Sequence, residues 1–390
     1  MTMHTTLDRR RLIKGSASLA ALGLAGCATG RIERPVVIPL APIRASVNRL
    51  FDITVCLRPF RAQGPRLDTE QVGSKLVVHN YGHGGSGWSL SWGSAAVAVG
   101  QAMQASPKEI AVIGCGALGL TSAITAQQAG AAVTIYARDL LPETRSARAT
   151  GSWTPSSRIA LESAASKDFP VLWEKMARIS FHTYRRYLGM PGNPVEWSDR
   201  YNVFDESPAE RAKLRPADPL GFADYQDRIA DIMPPGEDLP QGATPFQFPY
   251  VRRSSLMQFN IADYAHTLMS DFFAAGGKFV RAEFGALGDV SRLKEKVVIN
   301  CTGYGARELC KDESIVPVRG QIGWLIPQPE VNYGVYYQGV FVLPRRDGIV
   351  VQRLDGGDMR GYGDANETVD RAESEEAVKR VAELYQRFKV

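Results

Sequence analysis

Ile110-Ala111-Val112-Ile113-Gly114-Cys115-Gly116-Ala117-Leu118-Gly119 is the stretch on which the reading of the fold turns. A run of small and branched apolar residues reads as a buried strand. The glycines behind it take the GxGxxG spacing. Gly114 permits a tight turn, Gly116 lets a pyrophosphate approach the backbone, and Gly119 lets the next helix pack close to the sheet. A helical pattern follows from about Leu120 to Ala129, Gly130 stops it, and Val133-Thr134-Ile135-Tyr136 reads as a second strand. Strand, glycine turn, helix and strand make one βαβ unit of a parallel sheet. At the helix N-terminus, the N–H groups around Ala117 and Leu118 and the positive dipole end suit phosphate. An acid is expected near the end of the second strand to hold a ribose hydroxyl. The chain offers Arg138-Asp139 there, so Asp139 is the candidate, one place late.

Upstream, the apolar strand Leu76-Val77-Val78 runs into His79-Asn80-Tyr81-Gly82-His83-Gly84-Gly85-Ser86-Gly87. Glycines at that density allow positive φ angles or a close backbone approach. No third ligand stands at metal-site spacing from His79 and His83, so no metal is assigned. Trp92 to Met103 is small and apolar at helical spacing, and Ala105 to Glu109 links it to the first strand of the βαβ unit. Further upstream lie a strand candidate, Phe51 to Leu57, and Arg58-Pro59-Phe60-Arg61. Downstream, helical patterns cover Phe169 to Leu188 and Ile261 to Ala275, separated by a Pro-rich loop from Pro234 to Pro249. A buried strand, Val297-Val298-Ile299-Asn300, ends in Cys301-Thr302-Gly303. Strand-like runs fill Val318 to Gln352, and a charged helix spans about Ala372 to Phe388.

The length and pattern predict an α/β protein, with a Rossmann-like dinucleotide-binding domain and an α+β second domain built on a mixed sheet. The expected divisions are 1–27 as an export signal, 28–50 as a linker and 51–160 as dinucleotide-binding domain. Residues 161–260 are assigned mainly to the substrate domain, 261–326 return to the first, and 327–390 supply substrate-domain strands and the C-terminal helix.

The formal net charge is +5, but Arg9, Arg10, Arg11 and Lys14 against Asp8 place much of it at the very start. Without a basic stripe carrying interleaved aromatics, nucleic acid is not an expected partner. Adjacent arginines before a short apolar run suggest twin-arginine export, and Leu24-Ala25-Gly26-Cys27 resembles a lipobox that would leave a lipid anchor on Cys27. The expected location is therefore periplasmic and membrane-anchored. The other cysteines, Cys56, Cys115, Cys301 and Cys310, form no CxxC pair and are expected to be free.

His79 to Gly87, followed by Trp92-Gly93, closely resembles the signature of the D-amino-acid oxidase and D-aspartate oxidase family. Arg58-Pro59-Phe60-Arg61, Thr150-Gly151-Ser152-Trp153-Thr154-Pro155, Asn300-Cys301-Thr302-Gly303 and Arg319-Gly320-Gln321-Ile322 resemble further blocks of it. In that family the GxGxxG unit opens the chain and the HNYGHGG block lies near its end. The reverse order here is the pattern of a circular permutation.

The resemblance implies bound FAD. Gly114, Gly116, Ala117, Leu118 and Gly119 would face its pyrophosphate, Arg138 and Asp139 its adenosine ribose, and Arg145 and Ser146 its phosphates. Gly151, Ser152 and Thr154 would lie near the flavin ring. Cys301, Thr302 and Gly303 would close over the adenine end, and Gly84, Ser86, Gly87, Trp88 and Ser89 would follow the pyrimidine edge. At the reacting centre the resemblance implies Arg58, holding the substrate carboxylate, with Tyr337 as a mobile lid, Gly85 and Phe341. Phe341 departs from the family, which usually has a tyrosine there, and so removes one hydrogen-bond donor. The implied reaction is oxidative deamination of a D-amino acid to a 2-oxo acid and ammonia, with oxygen as final acceptor. A flavin amine or glycine-type dehydrogenase feeding a membrane quinone, and a non-catalytic flavin-binding lipoprotein, are the alternatives.

Overall fold

The computed structural model describes residues 37–214 and 217–389. The export-signal and lipid-anchor readings on residues 1–27 lie outside these. The described chain is built on two sheets. The smaller comprises β2 (Thr69–Val72), β3 (Lys75–His79), β4 (Glu109–Ile113), β5 (Ala132–Ala137), β9 (Lys278–Arg281) and β10 (Val297–Asn300), in the spatial order β2-β3-β10-β4-β5-β9. All but β2 run parallel. Strands buried on both faces should be apolar through their middles, and β3, β4, β5 and β10 are so between their polar ends, with Thr134 the exception. Val78, Ile110, Val112, Val133, Ile135 and Ile299 point into the main core. Their alternates Val77, Ala111, Ile113 and Val298 meet Val290 on the other side. The main core is closed by α1 (Gly87–Met103), α2 (Ala117–Gln128), α3 (Phe169–Tyr184) and α5 (Ile261–Ala274). Two shorter helices, α4 (Pro208–Lys213) and α6 (Ala306–Leu309), add little to it.

The larger sheet comprises β1 (Leu50–Arg61), β6 (Val195–Phe204), β7 (Glu237–Leu239), β8 (Tyr250–Phe259), β11 (Ile315–Leu325), β12 (Tyr333–Tyr337), β13 (Val340–Arg345) and β14 (Gly348–Arg353). Their order is β1-β11-β14-β13-β12-β6-β8-β7. Side chains alternate across such a sheet, so its two faces can be read from the register. Val335, Tyr337, Val340, Val342 and Val351 turn to one face, where α7 (Arg371–Gln386) covers them with Ala377, Val378, Val381 and Leu384. On the other face stand Arg58, Gly320, Gln352, Phe341, Tyr336 and Arg200.

Two sequence expectations are modified. β1 and β11 lie in the larger sheet, paired antiparallel from Leu50↔Leu325 to Arg61↔Ile315, rather than in the dinucleotide-binding half. Their pairing partner is too distant in sequence for local pattern to reveal. The segment expected as a linker is also part of the body from Ile38 onward. Ile38 N donates to Ala243 O, Tyr333 Oη donates to Ala41 O, and Ile43 is buried in the core beneath α7.

Candidate functional site

The glycine turn after β4 sits at the carboxyl end of the parallel strands, where ligands bind in open α/β sheets. Gly114 has a φ of +98°, and a side chain there would stand 2.5 Å from Cys301 O. At Gly119 a Cβ would fall inside contact distance of the Gly114 carbonyl oxygen, so α2 closes directly onto the turn. Gly116 occupies the N-cap position of α2, and Ala117 N donates to Ser146 Oγ at 3.0 Å. Among the described residues, no acceptor stands against the N–H groups of Leu118 and Gly119. A bare turn, a helix dipole and unclaimed N–H groups fit a pyrophosphate, and so the residues present fit the dinucleotide end of FAD.

The other predicted cofactor residues gather around this turn with different degrees of freedom. Cys301 N donates to Ile113 O at 2.8 Å, and burial pushes the Cys301 thiol up to about 12, so it packs as an inert group. Thr302 Oγ1 donates to Asn300 Oδ1, and Gly303 opens the turn that follows. Asp139 stands just beyond β5 but holds Arg138 at 2.9 Å, and Arg138 also reaches Glu283. Arg145 pairs with Glu367 and lies over the Tyr304 ring at 5.5 Å.

A second junction joins the glycine-rich loop to residues 146–158. Gly85 N and Ser86 Oγ both donate to Ser157 O, each at 3.0 Å. Thr154 N donates to Ser89 Oγ at 2.8 Å, and Trp88 Nε1 donates to Ser146 O at 2.8 Å. Gly84 has a φ of +54°, and a side chain there would strike the Arg158 carbonyl. Its N–H donates to Pro59 O at 2.8 Å, which ties the loop to β1 beside Arg58. The blocks that the sequence scatters over Arg58, Gly84–Ser89, Ser146 and Gly151–Thr154 are thus brought to one place.

Arg58 lines a cavity of about 180 Å³ together with Gly320, Gln352 and Arg158, and the same cavity is bordered by further charged residues, among them Arg319, Arg353, Asp364 and Glu373. Its Nη1 donates to Arg319 O at 3.2 Å, and no carboxylate of the described residues comes within ion-pair distance. Burial pulls its pKa below the usual arginine value, with Cys56 and Asp358 opposing. Arg158 is likewise pulled down to about 10 by burial and then by Arg58, but it holds Asp358. Gln352 accepts from Thr150 Oγ1 at 2.7 Å, which links this face to the segment carrying Gly151 and Ser152.

The two aromatic candidates separate. Phe341 is on the face with Arg58 and Gln352. Tyr337 is on the opposite face, edge-on to Phe248 at 5.4 Å. The hairpin pairs Tyr336 with Phe341 and Tyr337 with Val340, so it is Tyr336 that shares the Phe341 face. Adjacent tyrosines in a strand necessarily point apart, and sequence alone does not say which points inward. Arg200, Gln352 and Tyr336 were not singled out by the sequence reading. A polar residue alternating with apolar ones in β6 carries no local sign of what it faces.

His83, one of the two histidines in the glycine-rich segment, is buried, and burial holds its pKa down to about 3. Its Nε2 meets Ser94 Oγ at 2.8 Å, while Nδ1 has no partner among the described residues. The folded state therefore keeps His83 neutral where the unfolded chain protonates it, below about pH 6.5. Stability from this group is present above that pH and is lost as pH falls toward 3. Between pH 7 and pH 4 the loss should reach about 2–3 kcal/mol by chemical denaturation, and His83→Gln should flatten that slope.

With this geometry in place, the comparisons with known proteins fall on one family. The profile of the DAO family, FAD dependent oxidoreductase, matches residues 109–390. The D-amino-acid oxidase of Dictyostelium discoideum is 26% identical over 286 residues, covering 71% of this chain and 73% of the relative. The D-amino-acid oxidase of Rubrobacter xylanophilus is 28% identical over 211 residues, covering 54% of this chain and 57% of its own length. Among solved structures, glycine oxidase from Geobacillus kaustophilus aligns with a TM-score of 0.47 at 14% identity, over 72% of this chain and 80% of that one. From the phosphate turn, its vacant N–H groups and the family match over most of the described chain, it follows that this protein is an FAD-dependent oxidoreductase of the DAO family.

Proposed function

We propose that the chain oxidises D-amino acids to 2-oxo acids and ammonia, with oxygen taking up the electrons as hydrogen peroxide. The observation that carries this reading is Arg58. It is a buried guanidinium with no carboxylate of the described residues within ion-pair distance, facing a small cavity and tied through Pro59 to the glycine-rich loop. Leaving such a cation unpaired is costly, and an incoming carboxylate relieves the cost while fixing the substrate by a planar two-point contact. FAD, once bound, supplies the acceptor for the two electrons leaving the substrate α-carbon. The protein's own part is orientation. Arg58 holds one end of the substrate, and the Gly84–Ser89 loop brings backbone close to the reacting groups. The names of the relatives agree with this reading.

The chain is further proposed to be a circular permutation of the family order. The family profile begins at Glu109, and the strand carrying Arg58 and the glycine-rich loop both precede it. Export and anchoring through Cys27 are proposed from the leader sequence alone.

The deciding experiment is the visible spectrum of the purified holoprotein before and after anaerobic addition of a D-amino-acid panel, with the L-panel as control. Loss of the flavin band with the D-panel alone is the expected result. Bleaching only by glycine, sarcosine or other amines would replace the reading with an amine dehydrogenase. A band that nothing bleaches would leave a flavin-binding protein without turnover.

A further inference from the structure

The parallel strands β3 and β10 pair in register to their last residues, which sets His79 beside Asn300. Both side chains are fully buried. Asn300 Oδ1 accepts from Thr302 N at 3.2 Å and from Thr302 Oγ1 at 2.8 Å. A backbone N–H can only donate, so the oxygen of the amide is the atom that faces Thr302. The amide nitrogen is thereby turned toward His79 Nδ1 at 3.2 Å, with Cys310 Sγ as its other acceptor at 3.2 Å. An amide NH2 likewise only donates, so His79 Nδ1 carries no proton. The neutral ring holds its proton on Nε2, which meets Glu70 Oε2 at 3.1 Å. One hydrogen-bonded chain thus runs from Glu70 on β2 through His79 and Asn300 to Thr302.

The far end of this chain abuts the phosphate turn. A Cβ at Gly114 would lie 2.5 Å from Cys301 O and 3.4 Å from Thr302 N, and one at Gly119 would lie 3.5 Å from Cys301 Cβ. Residues 300–302 are therefore the wall on which the glycine turn rests, and the Asn300 amide fixes how that wall is folded. Protonating His79 would set a second donor against the amide nitrogen. Turning the amide over only moves the conflict, because its nitrogen would then face Thr302 N. Either way a buried hydrogen bond of the wall is lost.

The surroundings of the ring decide how readily that happens. Glu70 and Asp68 favour the charged ring and Arg66 opposes it, but Glu70 is already paired with Arg66 at 3.0 Å. Tyr81 meets the ring T-shaped at 5.6 Å, with its hydroxyl taken up by Arg66 and Asp312. Burial keeps the Cys310 thiol protonated, and α1 and α2, on the core side of this sheet, carry no charged residue. Burial, ahead of Arg66, lowers the His79 pKa below the usual histidine value.

We infer that His79 is a positioning residue for FAD: its neutral form holds the wall behind the phosphate turn through Asn300, and gaining a proton loosens the cofactor. The inference goes beyond the substrate reading and stands whichever amine is oxidised. Because FAD selects the neutral ring, affinity is full above the ordinary histidine range and falls as pH drops through the lowered His79 pKa.

The test follows FAD Kd, from the flavin fluorescence released as the holoprotein is diluted, between about pH 8 and about pH 5. Wild type should bind FAD roughly fivefold more weakly at the acid end, the equivalent of one lost hydrogen bond. His79→Leu removes the acceptor and should bind weakly at both ends. His79→Asn restores an acceptor where Nδ1 stands and cannot gain a proton. It should recover most of the affinity lost in His79→Leu and keep it on acidification. Nitrogen NMR of the histidine rings in the holoprotein adds a readout independent of affinity. The resonance missing from His79→Asn should show the proton on Nε2 and should titrate in step with FAD Kd. A proton found on Nδ1, a wild-type Kd indifferent to pH, or an acid loss as large in His79→Asn as in wild type overturns the inference. The decision needs only wild type and His79→Asn, so it survives a His79→Leu that fails to fold.

Discussion

Replacing Arg58 by leucine should cut kcat/KM for any D-amino-acid substrate by roughly a hundredfold to a thousandfold. Truncating one partner of a sheltered, hydrogen-bonded charge pair costs about 2–5 kcal/mol, because the carboxylate left behind is desolvated without compensation. At about 1.4 kcal/mol per factor of ten, that range brackets the expected loss. Most of it should appear in KM, with some in kcat, since the same contact sets the pose of the α-carbon. The free protein should respond in the opposite direction. Arg58 is buried beside Arg158 with no carboxylate of the described residues within ion-pair distance, so its removal relieves a desolvation cost. Thermal melting of Arg58→Leu without substrate should show a Tm at or above that of wild type. A fall in Tm parallel to the fall in activity would assign Arg58 to the fold and remove it from the substrate site.

Gly119→Ala is expected to yield protein that has largely lost FAD. The added methyl would overlap the Gly114 carbonyl oxygen and touch Cys301 Cβ at 3.5 Å. Both obstacles are backbone or a buried neighbour, so α2 must move off β4. Overpacking of this sort costs typically about 1–3 kcal/mol. Because the displaced element carries the N–H groups whose arrangement fits a pyrophosphate, FAD affinity should fall by about tenfold or more. The ratio of flavin to protein absorbance after gel filtration measures it directly. Gly100→Ala provides the counter-case. Gly100 is an exposed position in α1, and a Cβ there meets nothing within 4 Å. That change should leave flavin content alone and raise stability by about 0.5–1 kcal/mol through helix propensity.

The parts of the site that were legible in the sequence are those governed by local sterics. Gly114, Gly116 and Gly119 announce themselves by their spacing directly behind an apolar strand, although the atoms that crowd Gly114 and Gly116 belong to Cys301 and Ser146, and the glycine-rich run after β3 is marked by its density in the same way. Membership of a sheet face is a different kind of fact. Tyr336 and Tyr337 are chemically identical neighbours, and only the pairing of Tyr336 with Phe341 settles which of them shares the face of Arg58. Arg200 is more hidden still. Its distinguishing property is the lack of a carboxylate partner among the described residues, which is defined by everything around it and by nothing in Asp199-Arg200-Tyr201. The place of β1 in the larger sheet was out of reach for the same reason, since Leu50 pairs with Leu325.

β10 lies between β3 and β4 in the smaller sheet, yet the ribosome makes it last of the three. The two outer strands therefore exist long before the strand that must separate them. Until β10 inserts, β3 and β4 lack their shared neighbour, and the residue that abuts the Gly114 turn, Cys301, has not been placed. Such long-range pairing slows folding, because loop-closure entropy is lost before contacts compensate for it. Refolding from denaturant should then be slow. The quenching of flavin fluorescence on capture should rise together with the last recovery of sheet signal in circular dichroism, since the strand that completes the sheet also completes the phosphate turn.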